Sequence, residues 1–386
     1  METSRKYYRI GLLISWLIVI CIYSFANQCG LGFTYDSEFY LEIAKQIGEV
    51  GFSAEGFQTK PPLYPLLIHV VGISGIWWTN LFFLLVSISV LYVFGSEIKN
   101  QVLRVGFRFL MATSFPLYWV HSFAWTEPLF ICLLLVAFYC LNSYEKSGNR
   151  RLLLLSILLL LTLSFVRYAG IFILFPTFIY LFATLPKKLK LLLFGFFLVG
   201  FLGISLWVFN FQEGFLERWR ITSTRIFNLR FYFVEVNLDA YTEAFSLWFL
   251  PLNLYKPIRV GVVISVILAI IFRSFQLWSR KEKSILYFFA FIFIIYYFSM
   301  HWTFSVKYFE AERYLTPLYS CLFLSLFLWI DEFGQRIGRK SKLILHISLF
   351  FLLAYTLGRT GKNIMFWNGN RCKNSTEMAF IENYTN

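Results

Sequence analysis

The sequence predicts an all-α polytopic membrane protein of about eleven transmembrane helices, with amphipathic helices on its outer loops. Three observations carry that expectation. Of the 386 residues 58% are hydrophobic and only 15% charged, against about 25% charged in an ordinary soluble domain. No soluble core of this length hides so much apolar surface, and disorder, a collagen repeat or a disulfide scaffold fail for the same reason. Apolar runs recur along the chain at about the length a bilayer demands, near 20 residues. Finally, the basic residues cluster between alternate runs, as the positive-inside rule requires.

Taken in order, the runs lie near 10–26, 77–95, 105–120, 128–143, 152–166, 169–185, 189–209, 258–273, 284–303, 315–331 and 343–358. No small-residue cleavage site follows the first, so it reads as an anchor rather than a signal peptide. One further stretch, 61–74, begins with two prolines and is short, ambiguous between an interfacial helix and a span. Without it as a span, every short basic loop falls on the side of Arg5, Lys6 and Arg9, placed in the cytoplasm. That side then holds twenty bases against six acids, and the outer face fifteen of each. The net charge of +14 is therefore topological, and nucleic acid is not implied. No separate soluble domain or repeat is visible, so 1–386 reads as one integral membrane domain.

Function is sought on the outer loops, the long ones being 27–76 and 210–257. In the first, Asp36, Phe39, Tyr40, Ile43 and Ile47 share one face at 100° per residue, while Glu38, Glu42, Lys45 and Glu49 share the other. This is the pattern of an amphipathic surface helix. Asp36 at its start suits an N-cap or a reactive acid equally; Glu38, Glu42 and Glu49 suit a solvated face. Lys60, before Pro61 and Pro62, suits phosphate binding or interfacial snorkelling. Glu127, before Pro128 and near His121, suits dipole capping or a site acid. Arg167 in LSFVRYAGIF and Arg313 in FEAERYLTPLY suit ion pairing or bidentate phosphate recognition. Arg218, Arg220, Arg225 and Arg230 lie among aromatics in the second long loop, most simply as a membrane-surface set.

The six cysteines show no CxxC or metal-ligand spacing and read as small apolar side chains. No GxxxxGK[ST], HExxH or GxSxG is present.

The run YDSEFYLEIAKQI followed by KPPLYPLL resembles the first outer loop of PMT-like glycosyltransferases with the GT-C fold, among them protein O-mannosyltransferases and lipid A aminoarabinose transferases. TEPLF, VRYAG and ERYLTPLY are similar to later landmarks of the same family, so that the likeness covers about 25–330. The resemblance implies inverting transfer of a sugar from a polyprenyl-phosphate carrier to an acceptor hydroxyl on a protein, lipid or glycan, on the extracytoplasmic side. It places the catalytic acid on Asp36, with Glu127 beside it. Lys60, Arg167 and Arg313 would hold the donor phosphate, with Glu38, Tyr40 and His121 in support. Many members carry Glu directly after the Asp, where this chain has Ser37. The resemblance assigns no definite cofactor; Glu127 and His121 either orient Asp36 or the acceptor, or complete a divalent-metal site. The partners implied are the lipid-linked donor, the acceptor and the bilayer. Of a bacterial inner membrane and an endoplasmic reticulum, the want of a large lumenal domain favours the bacterial inner membrane. The sequons at 374–376 and 383–385 fall in a tail placed outside.

The competing expectation is a transporter or flippase of lipid-linked sugars. Transporters place ionisable groups near the bilayer midplane. Only His69 and His346 lie deep in apolar runs here, whereas the acids and cations gather at the outer surface.

Overall fold

The computed structural model describes residues 2–51, 60–167, 170–211, 239–251, 254–279, 308–335 and 339–371. Twelve helices can be given both ends among these residues: α1 (Glu2–Ala26), α2 (Tyr35–Val50), α3 (Leu63–Phe94), α4 (Gln101–Thr113), α5 (Phe115–His121), α6 (Glu127–Ser147), α7 (Arg150–Val166), α8 (Ile171–Thr184), α9 (Lys187–Phe211), α10 (Lys256–Ser279), α11 (Tyr308–Gly334) and α12 (Arg339–Arg371). The β pairing among the described residues is a single isolated bridge, Gly32 to Phe123.

Among the described residues five stretches are long and apolar enough to cross a bilayer: Lys6–Ala26, Leu63–Glu97, Glu127–Ser147, Ala311–Gly334 and Leu343–Asn368. Their burial separates interior from periphery. On α6, Phe130, Leu134, Phe138 and Leu141 are fully buried, as are Leu315, Leu318, Leu322 and Phe323 on α11. By contrast α1 exposes Leu13, Ile14 and Leu17, and α12 exposes Ile344, Phe350 and Phe351. In water such faces would drive association; against lipid tails they meet a solvent as apolar as themselves. The architecture is that of an all-α membrane protein.

Local chemistry sets the helix ends. α6 and α7 form a hairpin whose corner needs Gly148 at φ 69°, a left-handed C-cap, after which the Asn149 side chain accepts from Arg151 N–H and caps α7. α3 packs against this hairpin through α6.

Two expected runs depart from single straight spans. The run 105–120 divides at Ser114 into α4 and α5. Pro116 has no N–H to offer the Ala112 carbonyl four residues earlier, and the Tyr118 hydroxyl donates to that carbonyl instead. The Thr113 carbonyl accepts from Thr360 Oγ1 of α12 at 2.7 Å. The stretch 61–74 is joined to the run 77–95 in α3, broken at Gly72 with φ 71° and ψ 168°. Thirty-two residues exceed the roughly 20 that a bilayer needs. The surplus before Gly72 packs on α2, where Tyr64 meets Tyr40 edge to face and His69 lies against Gly48. The runs 152–166, 169–185, 189–209 and 258–273 fall on α7, α8, α9 and α10. The run 284–303, the arginines at 218, 220, 225 and 230, and both sequons lie outside the described residues.

Cys132, Cys140 and Cys321 are buried free thiols, as small apolar side chains should be, and Cys21 is a free thiol on an exposed face. Cys29 differs: it is disulfide-bonded, which corrects the reading of all six as simple membrane side chains.

A candidate functional site at the helix ends

Asp36 is the second residue of α2, and it is not the N-cap. Thr34 takes that position with extended backbone, and Ser37 Oγ accepts the Thr34 N–H at 3.1 Å. The reciprocal box usually uses Glu or Gln at the third helical position. Here buried Ser37 fills it, which gives the serine in place of the family's Glu a local task. Freed from capping, Asp36 directs both oxygens elsewhere. Oδ1 accepts from Lys60 Nζ at 2.7 Å and Oδ2 from Arg313 Nη1 at 2.8 Å.

A second acid lies under the same arginine. Glu127, the first residue of α6, has no exposed side-chain surface. Its Oε1 accepts from Arg313 Nε at 2.6 Å and meets Arg167 Nη1 at 2.7 Å, while Thr126 Oγ1 donates to Oε2 at 3.3 Å. Arg167 reaches this point because the chain leaves α7 in extended conformation there. Gly170 then folds back until a Cβ on it would stand 2.7 Å from the Leu163 carbonyl carbon. That approach admits only glycine.

Two loops hold the acids in register. Gly32 N–H donates to Ser122 O at 2.8 Å, and Ala124 N–H returns a bond to Gly32 O at 3.1 Å. Trp125 Nε1 donates to Thr34 Oγ1 at 2.8 Å, and Asn80 Nδ2 donates to the carbonyls of His121 and Phe123. The loop bearing Asp36 and the loop bearing Glu127 are thereby one unit, fastened to α3.

The cations rest on aromatic faces. The Arg313 guanidinium lies 4.1 Å from the Trp125 ring centre, Arg167 5.2 Å from Tyr314, and Lys60 5.4 Å from Tyr40. Such contacts strengthen as water is removed. The site grades from closed to open: Glu127 and Arg313 are sealed, whereas about a quarter of the Asp36 and Lys60 side chains remains accessible. Burial alone would raise the Asp36 pKa, but the Arg313 and Lys60 charges outweigh it and hold the carboxyl at about 2. Burial also raises the Tyr40 phenol above its ordinary value.

Among the described residues, Lys60, Arg167 and Arg313 thus gather around Asp36 and Glu127. Ammonium and guanidinium groups drawn together in this way suit an anion such as a phosphodiester.

Every site residue that the family resemblance implies can now be placed. Asp36, Lys60, Glu127, Arg167 and Arg313 converge, and Tyr40 backs Lys60. His121 is buried nearby, where burial lowers its pKa to about 4. It is thus neutral near pH 7, and Nδ1 donates to Leu117 O at 2.7 Å. Glu38 takes no part in the described ion pairs and stays half-buried on α2. Glu312, adjacent to Arg313 in the chain, turns to a separate buried node. Both its oxygens accept from Arg359 Nη2, at 2.7 and 2.6 Å, and Oε1 accepts from Trp248 Nε1 at 3.1 Å. Among the described residues no group of three or more His, Cys, Asp or Glu is placed to hold a metal ion. With guanidinium between Asp36 and Glu127, the acid pair does not fit a divalent metal. Sequence reasoning missed Thr34, Trp125, Tyr314 and Arg359. Trp125, two residues before Glu127, carried the best available signal, an aromatic ring next to a costly buried charge.

No family model matches the chain, and no curated protein matches it either.

Proposed function

We propose that the protein is an inverting glycosyltransferase of GT-C-like fold with eleven spans, moving a sugar from a polyprenyl-phosphate carrier to an acceptor hydroxyl on the extracytoplasmic face of a bacterial inner membrane. The observation that carries this reading is the cluster itself: three cations drawn around two carboxylates at helix ends, with an open edge at Asp36 and Lys60.

In this reading the donor phosphate bridges Lys60 and Arg313, the cations that otherwise neutralise Asp36. Phosphate binding loosens their hold and raises the basicity of Asp36 when a base is needed. The acceptor oxygen attacks the anomeric carbon from the face opposite the phosphate. The bond from that carbon to the phosphate oxygen breaks, its electron pair leaves with the polyprenyl phosphate, and the hydroxyl proton passes to Asp36. One displacement inverts the anomeric centre. Glu127, counted with Asp36 as catalytic from the sequence, becomes a positioning residue, since its oxygens are taken by Arg313, Arg167 and Thr126.

The test is transfer from synthetic polyprenyl-phosphate sugars by purified protein in lipid nanodiscs. Wild type should form glycoside with inverted configuration, and Asp36→Asn should lose at least about a hundredfold in kcat, the scale of general-base contributions. Unimpaired turnover by Asp36→Asn would remove Asp36 as the base. Movement of the lipid-linked sugar across vesicles without glycoside formation would replace the reading with transport.

A further inference from the structure

The apolar run of α12 carries one ionisable side chain that the candidate site does not use. His346 lies in the first turn of the stretch Leu343–Asn368. This is the end of the molecule remote from Asp36, because α11 runs from Arg313 at the site to Asp331 here, about 27 Å of helix at 1.5 Å per residue. Two cavities meet at the imidazole. One, of about 200 Å³, is lined by Lys99, Asn100, Asp331 and Gln335. The other, of about 480 Å³, runs between α4 and α12 along Val102, Val105, Phe109, Leu349, Phe350 and Leu353. His346 lines both, so a polar mouth opens into an apolar groove that follows α4 for about 12 Å. Gly106 lets the two helices close its floor: a Cβ there would stand 2.9 Å from Leu349 Cδ2.

The mouth offers donors. Asp331 is buried, and its oxygens are turned to the backbone: Oδ2 accepts from the Lys99 N–H at 2.6 Å and Oδ1 from the Asn100 N–H at 3.1 Å. The side chains of Lys99, Gln335 and His346 make no hydrogen bond or ion pair with any described residue, yet all three line the same cavity. Ammonium, amide and imidazole each donate to a phosphate oxygen, and Lys99 adds a unit positive charge. An ammonium headgroup would instead meet Lys99 as a like charge.

We infer that this groove binds one anionic phospholipid, with its phosphodiester among Lys99, Gln335 and His346 and one acyl chain along the wall of Val102, Val105 and Phe109. Phosphate headgroups are held by basic pockets between membrane helices, and the groove has the volume of a ligand site, about 300–1,000 Å³. An ionisable residue inside an apolar run is costly without a task; here His346 stands at the boundary between headgroup and chain. The site is separate from the Asp36 cluster and independent of any assignment of enzymatic activity.

The experiment titrates full-length protein in detergent micelles with phosphatidylglycerol or phosphatidylethanolamine and reads retained lipid by native mass spectrometry. Wild type should hold one phosphatidylglycerol in preference to phosphatidylethanolamine. Lys99→Gln, at an exposed side chain, should weaken that retention about fivefold, the factor for one cation near a lipid phosphate. Val105→Trp, on the exposed groove wall, should fill the acyl path and weaken it too. Lys45→Gln, exposed on α2 at the other end of the molecule, should leave it unchanged. A phosphatidylglycerol with a diazirine in its acyl chain should cross-link to 101–109 and 346–353. Equal retention of the two lipids, or Lys99→Gln no weaker than Lys45→Gln, would overturn the headgroup assignment. Wild-type retention by Val105→Trp, or cross-links confined to other segments, would overturn the groove. Tighter retention of a polyprenyl phosphate would give the groove to that lipid and sink the proposal.

Discussion

Replacing Glu127 by glutamine exchanges one carboxylate oxygen for an NH2 group and tests the central electrostatic claim. The carboxylate is wholly sealed, with Arg313 Nε at 2.6 Å and Arg167 Nη1 at 2.7 Å from the same oxygen. Two unit charges at about 4 Å attract by about 4 kcal/mol at an effective dielectric of 20. The amide keeps some hydrogen bonding and escapes the desolvation penalty of a carboxylate, which returns part of that sum. Removing one member of a buried ion pair costs about 3–5 kcal/mol because the partner charge stays buried. Here Arg313, only 3% exposed, would lose one of the two carboxylates it pairs with. Glu127→Gln should therefore destabilise by about 3–5 kcal/mol. Asp36→Asn should cost less, because a quarter of Asp36 is accessible and its pKa falls only from 3.8 to about 2, worth about 2 kcal/mol. Reversible unfolding in mixed detergent–SDS micelles gives both values. In a double-mutant cycle Glu127→Gln and Arg167→Gln should couple by more than about 1 kcal/mol. A Glu127→Gln loss below that of Asp36→Asn, or strict additivity with Arg167→Gln, refutes the claim that Glu127 holds the two arginines.

Two further outcomes follow from the same geometry. Because the folded-state pKa of Asp36 lies below its unfolded value, its stabilisation is complete above about pH 4 and fades as pH falls through about 2. Thermal unfolding midpoints between pH 5 and pH 2 should drop more steeply for wild type than for Asp36→Asn, and parallel curves would contradict the pairing. Gly170→Ala places a methyl 2.7 Å from the backbone of Leu163 and must push the 167–170 turn outward, carrying Arg167 with it. Overpacking of this kind costs about 1–3 kcal/mol. The KM for a lipid-phosphate sugar should rise about tenfold, the factor set by 1.4 kcal/mol, with kcat less affected; an unchanged KM would show that Arg167 does not depend on that approach.

Much of the site was legible in the chain because charge inside apolar sequence is conspicuous. Asp36, Lys60, Glu127, Arg167 and Arg313 stand out because each interrupts or abuts a hydrophobic run where an unpaired charge is costly. What each pairs with was not legible. Arg313 and Asp36 are 277 positions apart and Arg313 and Glu127 186, and no local pattern encodes a contact at that separation. Glu312 shows the limit most clearly. It adjoins Arg313, yet belongs to another node with Arg359, because neighbouring helical residues point about 100° apart.

Composition and periodicity by themselves determined the solvent and the secondary structure. A chain this apolar must meet lipid, and backbone in lipid must bond internally, so helices follow. They also determined the buried face of α2, since a period of 3.6 residues sorts its side chains before any partner is present. Only the tertiary structure decided that Thr34 and Ser37 cap α2 and release Asp36, that Pro116 divides one expected helix into two, and that Glu127 is enclosed while Asp36 stays open. Those outcomes depend on which groups compete for each hydrogen bond once distant segments meet, and such competition is settled by packing.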